Sequence, residues 1–349
     1  MFSDLDQQLT ATLRQRAGGD IDPTPIVEQA RQRGRRLRRR HRGFVAGGVA
    51  AACVALTAVV VALPIGGGTD EPIMPVAALL LPEASGQAGA TARPEDVGAD
   101  PDVVHFSAAP LVDGAEYATW RAGRGIESVE FRGPAGQARF ALARTGTSLD
   151  ELQQTLSSAG RPQARTDVRV GDRPGVAWFD TSGDRKLWFV RWQPGDGLWA
   201  QLDVYAVSRD EATATASRVR FDAAHRCVVP FRLTSLPPGG RLLECEVTLG
   251  RSEHGSFVEG SLVVGDETGR WLTVRAQPAP HGYEIGSGHL VAGPYRARRQ
   301  GSDVLQMVAE PCVVEAFLKG WGKGYGESDG LVVLGGYQPT RDLDRPDTW

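Results

Sequence analysis

The chain has 349 residues, 41% hydrophobic and 23% charged, and a formal net charge of −3 at pH 7. It contains no asparagine, which excludes N-glycosylation and any active site that needs an asparagine amide. Residues 1–42 carry ten arginines and five acids, net +5, so −8 falls on the rest of the chain. That negative remainder argues against binding to nucleic acid. Three lysines against 36 arginines are typical of a GC-rich bacterial genome.

The first predicted element is a short amphipathic helix over residues 3–17. Ser3 and Asp6 have the spacing of a capping box, and leucines recur every fourth residue. This stripe is too small to make a core of its own. Docking on a partner and lying on a membrane surface both remain open, and the membrane surface is favoured.

An arginine cluster then meets an apolar run. Residues 31–42 contain eight arginines, and residues 43–69 contain no charged side chain. The apolar core at 43–65 would form a helix of about 34 Å, enough to cross a hydrocarbon layer of about 30 Å. Because basic flanks stay in the cytoplasm, we expect residues 1–42 inside and the part after residue 69 outside, in a single-pass cell-membrane protein.

Three other interpretations of this region are less favoured. A cleaved signal peptide has a short leader and a shorter apolar run, so an uncleaved signal anchor is favoured. The Arg39-Arg40 pair also fits a twin-arginine export signal, although any arginine-rich flank produces such pairs. Nucleic-acid binding by the arginines is less favoured than contact with anionic lipid, because they adjoin the span.

The remaining chain divides by composition. Residues 66–103 are rich in Gly, Pro and Ala and predict a flexible linker. Residues 104–224 and 225–349 predict two extracytoplasmic units. Helices are expected from Ser148 and Ser208, each followed three residues later by a glutamate. Strands are expected at Glu116–Arg121, Ser128–Arg132, Ala138–Ala143, Gly175–Asp180, Lys186–Gln193 and Leu198–Val207.

The predicted fold class is α+β, with a mainly antiparallel sheet, because the strands come in hairpin runs and do not alternate with helices. A weak internal repeat accompanies it. The segment Phe231–Gly239 has Phe, Leu and Gly at the same intervals as Phe106–Gly114, 125 residues earlier. A looser match links the residues around Pro174 and Pro294. These matches predict two duplicated units.

Three cysteines lie after the predicted span: Cys227, Cys245 and Cys312. In an oxidising compartment we expect one disulfide and one free thiol, and all three pairings remain open. Cys53 lies inside the span. No C-x-x-C spacing occurs, so zinc or thioredoxin-like chemistry is not expected.

Catalytic motifs are weak. Residues 326–330 read G-x-S-x-G, but a nucleophile elbow needs a strand before Ser328 and a helix after it. Here a glycine-rich loop precedes the serine and an apolar run, LVVLGG, predicts a strand after it. We therefore expect Ser328 in a surface turn. The glycine run at 320–326 lacks the spacing of a phosphate-binding loop, and its Trp321 and Tyr325 are candidate contacts to a ligand or partner.

Histidines and tryptophans give two further candidates. His281 and His289, with Glu284 between them, could be imagined as zinc ligands, but no recognised metal spacing supports them, so no metal and no cofactor is expected. At period two, Trp188 and Trp192 face one side of a strand. Core packing is the favoured interpretation, and the lining of a ligand groove is the alternative.

The stretch 106–221 resembles a known family of bacterial extracytoplasmic domains. The resembling part, GVAWFDTSGDRKLWFVRWQPGDGLWAQLDVYAVSRDEATATASRVRF, is similar to DUF4367-like and sigma-factor regulator (RseB or MucB-like) domains. That resemblance implies half-barrel sheets related to lipoprotein-carrier folds. The layout also resembles actinobacterial membrane proteins that accompany extracytoplasmic-function sigma factors. Residues 1–42 lack the H-x-x-x-C-x-x-C motif of many anti-sigma domains, which places direct sigma-factor inhibition in doubt.

Together these features predict a non-enzymatic, membrane-anchored sensor or binding protein. The expected partners are the lipid bilayer, a cytoplasmic regulatory protein bound through residues 1–42, and an extracytoplasmic ligand or protein of unknown identity. The alternative is a tethered lipid or lipoprotein carrier with a hydrophobic groove.

Overall fold

The computed structural model describes residues 80–156, 164–180, 186–252, 255–279, 283, 288–318, 324–340, 342–343 and 345–349. The described residues all belong to one compact unit. The predicted helix at 3–17 and the predicted span at 43–65 lie outside the described residues. Within the described ranges, no helix is long and apolar enough to cross a bilayer.

Most of the described chain is β-structure. The strands are β1 Val103–Val104, β2 Glu116–Gly123, β3 Ile126–Gly133, β4 Gly136–Ala143, β5 Thr166–Val170, β6 Arg173–Asp180, β7 Leu187–Trp192, β8 Trp199–Tyr205, β9 His225–Arg226, β10 Phe231–Leu233, β11 Arg241–Ser252, β12 Gly255–Gly265, β13 Trp271–Pro278, β14 Leu290–Ala292, β15 Tyr295–Gln300, β16 Val304–Ala309, β17 Cys312–Phe317 and β18 Tyr337–Pro339. The helices are α1 Gly146–Leu156, α2 Arg209–Ala216 and α3 Glu327–Gly335, with 3-10 turns at Pro94–Asp96 and Pro346–Thr348.

Fourteen of these strands form one antiparallel sheet, in the order β14-β15-β16-β17-β13-β12-β11-β2-β3-β4-β8-β7-β6-β5. β1 pairs with β9 and β10 pairs with β18 in separate two-stranded ladders. The six strands predicted in residues 104–224 are confirmed, as is the mainly antiparallel architecture.

The strand order is the same in the two halves of the sheet. From the centre of the sheet outward, the first half runs β2-β3-β4-β8-β7-β6-β5 and the second runs β11-β12-β13-β17-β16-β15-β14. The halves join through β2 and β11, which are antiparallel to each other and begin 125 residues apart. The two Pro-containing segments matched in the sequence form the equivalent turns β5–β6 and β14–β15. The domain boundary predicted at residue 224 stays a prediction.

Alternation of side chains gives the sheet two different faces. The core face carries large buried residues such as Trp120, Phe131, Phe140 and Leu202, all less than 1% exposed. Helices α2 and α3 pack on this face through small or aliphatic side chains. The opposite face, which we call the polar face, is covered in the first half by α1, whose Leu149 packs in a small separate cluster.

Residues 80–107, which we call the strap, pack against the sheet. Leu81, Ala90 and Val97 of the strap are buried in the core. From residue 80 onward, the stretch predicted as a flexible linker therefore belongs to the folded unit, because its few apolar residues are spaced to reach the core.

Two local predictions at helix starts need correction. Helix α1 begins at Gly146, and the hydroxyl of Thr145 accepts a hydrogen bond from the Ser148 backbone N–H, so Thr145 does what was expected of Ser148. The segment after Ser328 is helix α3 and not a strand. Asp329 accepts a hydrogen bond from the Gly326 N–H, and Gly330 lets the helix approach Leu318 closely. These contacts override the strand preference of the valines.

Candidate binding surface on the polar face of the sheet

The centre of the polar face lies where the two halves meet. Eight polar side chains from β2, β3, β11 and β12 form what we call the central polar surface, and each is half-buried: Thr119, Arg121, Ser128, Glu130, Glu246, Thr248, Glu259 and Ser261. They alternate along their strands with buried core residues such as Trp120 and Val247. Strand register therefore places this polar set on one continuous surface.

Two rows of directly opposed residues run across this surface. Ser128 opposes Arg121, Arg121 opposes Glu246, and Glu246 opposes Ser261. Arg121 and Glu246 are also 125 residues apart, so they occupy equivalent positions in the two halves and the local two-fold axis passes between them. The neighbouring row reads Glu130, Thr119, Thr248 and Glu259.

Charges on the surface are close together and only partly paired. Arg121 donates to Glu244 over 2.8 Å, and Glu244 is almost buried. Burial raises the pKa of Glu246; the charge of Arg121 lowers it, and the charges of Glu244 and Glu259 raise it further. Glu246 thus carries its negative charge at a free-energy cost, which a cationic group from a partner would reduce.

A polar ladder extends into the first half. Arg139 of β4 pairs with Asp203 of β8, which also accepts from the Gln201 amide. Burial raises the pKa of Asp203, although Arg139 and Gln201 oppose that shift. Gln201 in turn accepts from Arg191, whose guanidinium reaches Asp150 of α1 at 2.7 Å. Helix α1 therefore covers this part of the polar face, and its Asp150 neutralises the charge of Arg191.

The second half carries a matching ladder of different composition. Arg275 of β13 donates to Glu315 of β17 over 2.7 Å, and Glu315 accepts from the Gln306 amide. Gln306 accepts from Arg298, and the Tyr283 hydroxyl hydrogen-bonds with both. Arg275 is about a third exposed, against 16% for the side chain of Arg139 in the first ladder.

The tryptophans suggested as contacts lie in the core. Trp188 and Trp192 both point to the core face from β7, at 9% and 3% exposure. Trp188 packs against Phe179, and Trp192 packs against Phe140. The core interpretation favoured from the sequence matches this placement, and a ligand-contact role for either residue stays a prediction.

The other suggested contacts are placed as follows. Tyr325 is buried, and the Arg270 guanidinium lies 4.7 Å from its ring centroid. Trp321 lies outside the described residues. The structure pairs Cys227 with Cys245 in a disulfide, one of the three pairings left open, and leaves Cys312 as a buried free thiol.

The catalytic and metal candidates gain no partners in the described part of the chain. Ser328 is exposed in the first turn of α3, and no described histidine hydrogen-bonds to it. His281 and Glu284 lie outside the described residues, and His289 is exposed. Across the described ranges, no group of three His, Cys, Asp or Glu side chains is placed to hold a metal ion.

Sequence reasoning missed the central polar surface. Its signal was present, since the run Glu244 to Thr248 alternates charged or polar residues with Cys245 and Val247. What the alternation could not show is which strands are neighbours, and hence that both halves contribute to one surface.

The fold and site define a class: an antiparallel β protein built of two like halves with a shared polar face. No family model and no curated protein sequence matches the chain. Similar solved structures include one of MucB in complex with MucA(peri) and one of the Pseudomonas aeruginosa MucA/MucB complex. Each is 15% identical and covers 67% of this chain and 96% of its own, with TM-scores of 0.22 and 0.23. A likeness of this extent defines neither the fold nor the function of the present chain.

Proposed function

We propose that this is a membrane-anchored, extracytoplasmic sensor or binding protein without catalytic activity, whose sheet domain binds a partner protein over the central polar surface. The observation that carries the proposal is the surface itself. Polar side chains from both halves meet there in register and stay half-exposed, while the core face is filled by apolar side chains.

Two features support the proposed location. The arginine-rich flank and the apolar run at 43–65 predict an anchor with the folded unit outside. The Cys227–Cys245 disulfide ties the connection between the halves to β11, and such bonds persist in oxidising compartments. Neither the apolar run nor a stable disulfide is expected in a soluble cytoplasmic protein.

The chemistry of the surface indicates the kind of partner. Arginine is enriched at protein interfaces, and a pattern of both charge signs selects a partner with the complementary pattern. A polymer that carries charges of one sign would be repelled by either Arg121 or Glu246, which stand opposite each other in this row. A folded protein or a peptide of mixed charge fits better.

The wider role follows from the layout. We infer that residues 1–42 contact a cytoplasmic regulatory protein and that binding outside is linked to envelope-stress or sigma-factor signalling, as the sequence resemblance implies. The repeated strand order supports the interpretation that the domain arose by internal duplication. The carrier alternative would need Trp188 and Trp192 to line a groove, and both are packed in the core.

The proposed surface is tested with a charge swap. Arg121 and Glu246 stand opposite each other, so the double variant R121E/E246R keeps an internal pair while inverting the pattern that a partner meets. A photo-crosslinking amino acid at Ser261 in intact cells should give one defined crosslinked product, which the double variant abolishes.

The same probe at Ala214, exposed on α2 beside the core face, is the matched control and should give no product. A product that persists in the double variant, or appears equally from Ala214, contradicts binding over this surface. Orientation is checked separately. Protease added to intact cells should digest the sheet domain and spare a tag on Met1, and the opposite pattern would overturn the proposed location.

A further inference from the structure

The strap contacts the first half of the sheet and the segment between the two halves. Its backbone hydrogen-bonds to the segment between the halves, from Ala84 N–H to the Ala224 carbonyl and from Cys227 N–H to the Asp102 carbonyl. It also reaches the first half, where the Gly125 N–H donates to the Gly98 carbonyl over 2.7 Å. These contacts fix the strap to the folded unit.

One buried carboxylate holds the middle of the strap. Glu127 of β3 is fully buried and accepts three hydrogen bonds, all from strap residues. One oxygen accepts from the Gly98 N–H at 2.9 Å and faces the His105 Nδ1 at 2.6 Å; the other accepts from the His105 backbone N–H at 2.6 Å. Gly98 has a positive φ, and a Cβ there would lie 2.3 Å from the β3 backbone. A glycine at position 98 is therefore what allows the strap to approach β3 so closely.

We call the contact between Glu127 and His105 the clamp. Its net charge depends on the protonation of His105, whose side chain is 2% exposed. The charged groups that face it are Glu127 of β3 and, within the strap, Asp96 and Asp100. Burial by itself lowers the pKa of His105, but the hydrogen bond and charge of Glu127, with the charges of the two aspartates, raise it above its ordinary value. With the imidazolium present, the clamp is a buried ion pair; without it, the ion pair that the described residues make to the Glu127 carboxylate is lost.

We propose that the His105–Glu127 pair is a pH-sensitive latch that holds the strap on the sheet when His105 is protonated and loosens it when the Nε2 proton is lost to solvent. The sign follows from linkage. A histidine whose pKa is higher in the folded state stabilises that state fully below its unfolded pKa. This stabilisation is lost as pH rises through the folded pKa. The latch thus weakens as pH rises above the ordinary range of histidine.

Hydrogen exchange of the full-length chain in detergent micelles tests the latch. We expect protection of strap amides, corrected for intrinsic exchange at each pH, to fall between about pH 6 and about pH 9. The fall should be about tenfold for each unit by which the pKa of His105 exceeds its unfolded value. Amides of β12 and β13 serve as the internal reference and should not change.

Three variants make the test specific. E127Q keeps one of the two acceptor oxygens and removes the charge, so its strap protection should be lower at about pH 6 and nearly independent of pH. D100N keeps the acceptor that the Asp102 N–H uses and should shift the midpoint to lower pH. H225Q removes the other histidine near the strap, whose ring hydrogen-bonds to the Leu81 carbonyl, and should leave the midpoint unchanged.

The wild-type measurement decides the proposal even if E127Q does not fold. Strap protection that is constant with pH, or that falls equally in the reference strands, overturns it. A midpoint that disappears in H225Q assigns the transition to His225 and also overturns it. A negative result for the latch would not affect the proposed binding surface. That surface is tested separately by the charge swap.

Discussion

The two halves of the sheet share their strand order but not their polar faces. On the core face, Phe106 and Phe231, 125 residues apart, both enter the core just before the first strand of their half. On the polar face, α1 covers the first half with Leu149 and supplies Asp150 to Arg191. In the second half, Tyr283 hydrogen-bonds to a ladder that keeps Arg275 about a third exposed.

This difference shows which constraints the halves share. The strand order depends on the core face, where the apolar side chains must interlock to be buried, and large changes there are costly. The polar face needs only that its charges be paired, which different residues can achieve in different ways. The polar face can therefore differ between the halves, and a binding function can arise there, at little cost to stability.

The largest expected effect comes from removing an aromatic ring from the core of either half. Phe106→Ala and Phe231→Ala should each lower the free energy of unfolding by about 3–5 kcal/mol, because each leaves a cavity the size of an aromatic ring. Both rings have aromatic neighbours, Phe140 at 4.6 Å and Tyr337 at 5.2 Å, so the two losses should be comparable. Denaturant unfolding measures both, with the partly exposed Leu236→Ala as control. A loss below about 1 kcal/mol at one site would show that the cores are not equivalent.

A smaller effect separates the two ladders. Arg139→Met should cost about 3 kcal/mol near neutral pH, because it leaves the Asp203 carboxylate buried without its cation. Arg275→Met should cost about 1 kcal/mol, because water screens its more exposed pair. Equal losses in denaturant unfolding would contradict the contrast between the polar faces.

The same variant has a pH signature. The pKa of Asp203 is already raised in the folded state, so that state holds the proton more tightly than the unfolded chain, and stability falls as pH rises above the ordinary aspartate range. Removing Arg139 raises this pKa further. The deficit of Arg139→Met should therefore shrink on acidification, whereas a deficit that grows would exclude Asp203 as its cause.

The smallest effect compares helix starts. The Ser208 hydroxyl accepts a hydrogen bond from the Glu211 N–H at the start of α2, and the Asp329 carboxylate accepts from the Gly326 N–H at the start of α3. Ser208→Ala should cost about 1 kcal/mol, and Asp329→Ala about the same or less. Thermal unfolding of the two variants measures this, and a neutral Ser208→Ala would mean that α2 depends on its core contacts alone.

Much of the fold could be predicted because it follows local periodicity. Alternating strands such as 116–121 and 138–143, and the cap at Ser208, need only neighbours in sequence. The helix after Ser328 could not be predicted in this way, since its valines favour a strand, and the contacts that favour the helix include the close approach of Gly330 to Leu318, which is distant in sequence. The candidate surface was missed for the same kind of reason, because it joins strands from residues 119 to 261.

By itself, the sequence determined the two-faced strands, the capped helix α2, the repeat spacing of 125 residues and the restriction to one disulfide among three cysteines. Each is a statement about side-chain type and separation along the chain. Only the tertiary structure decided that β2 lies beside β11, that Cys227 pairs with Cys245, and that His105 meets Glu127 in a buried clamp. Contacts between distant residues depend on which surfaces pack together around the core. The local sequence pattern does not specify that packing.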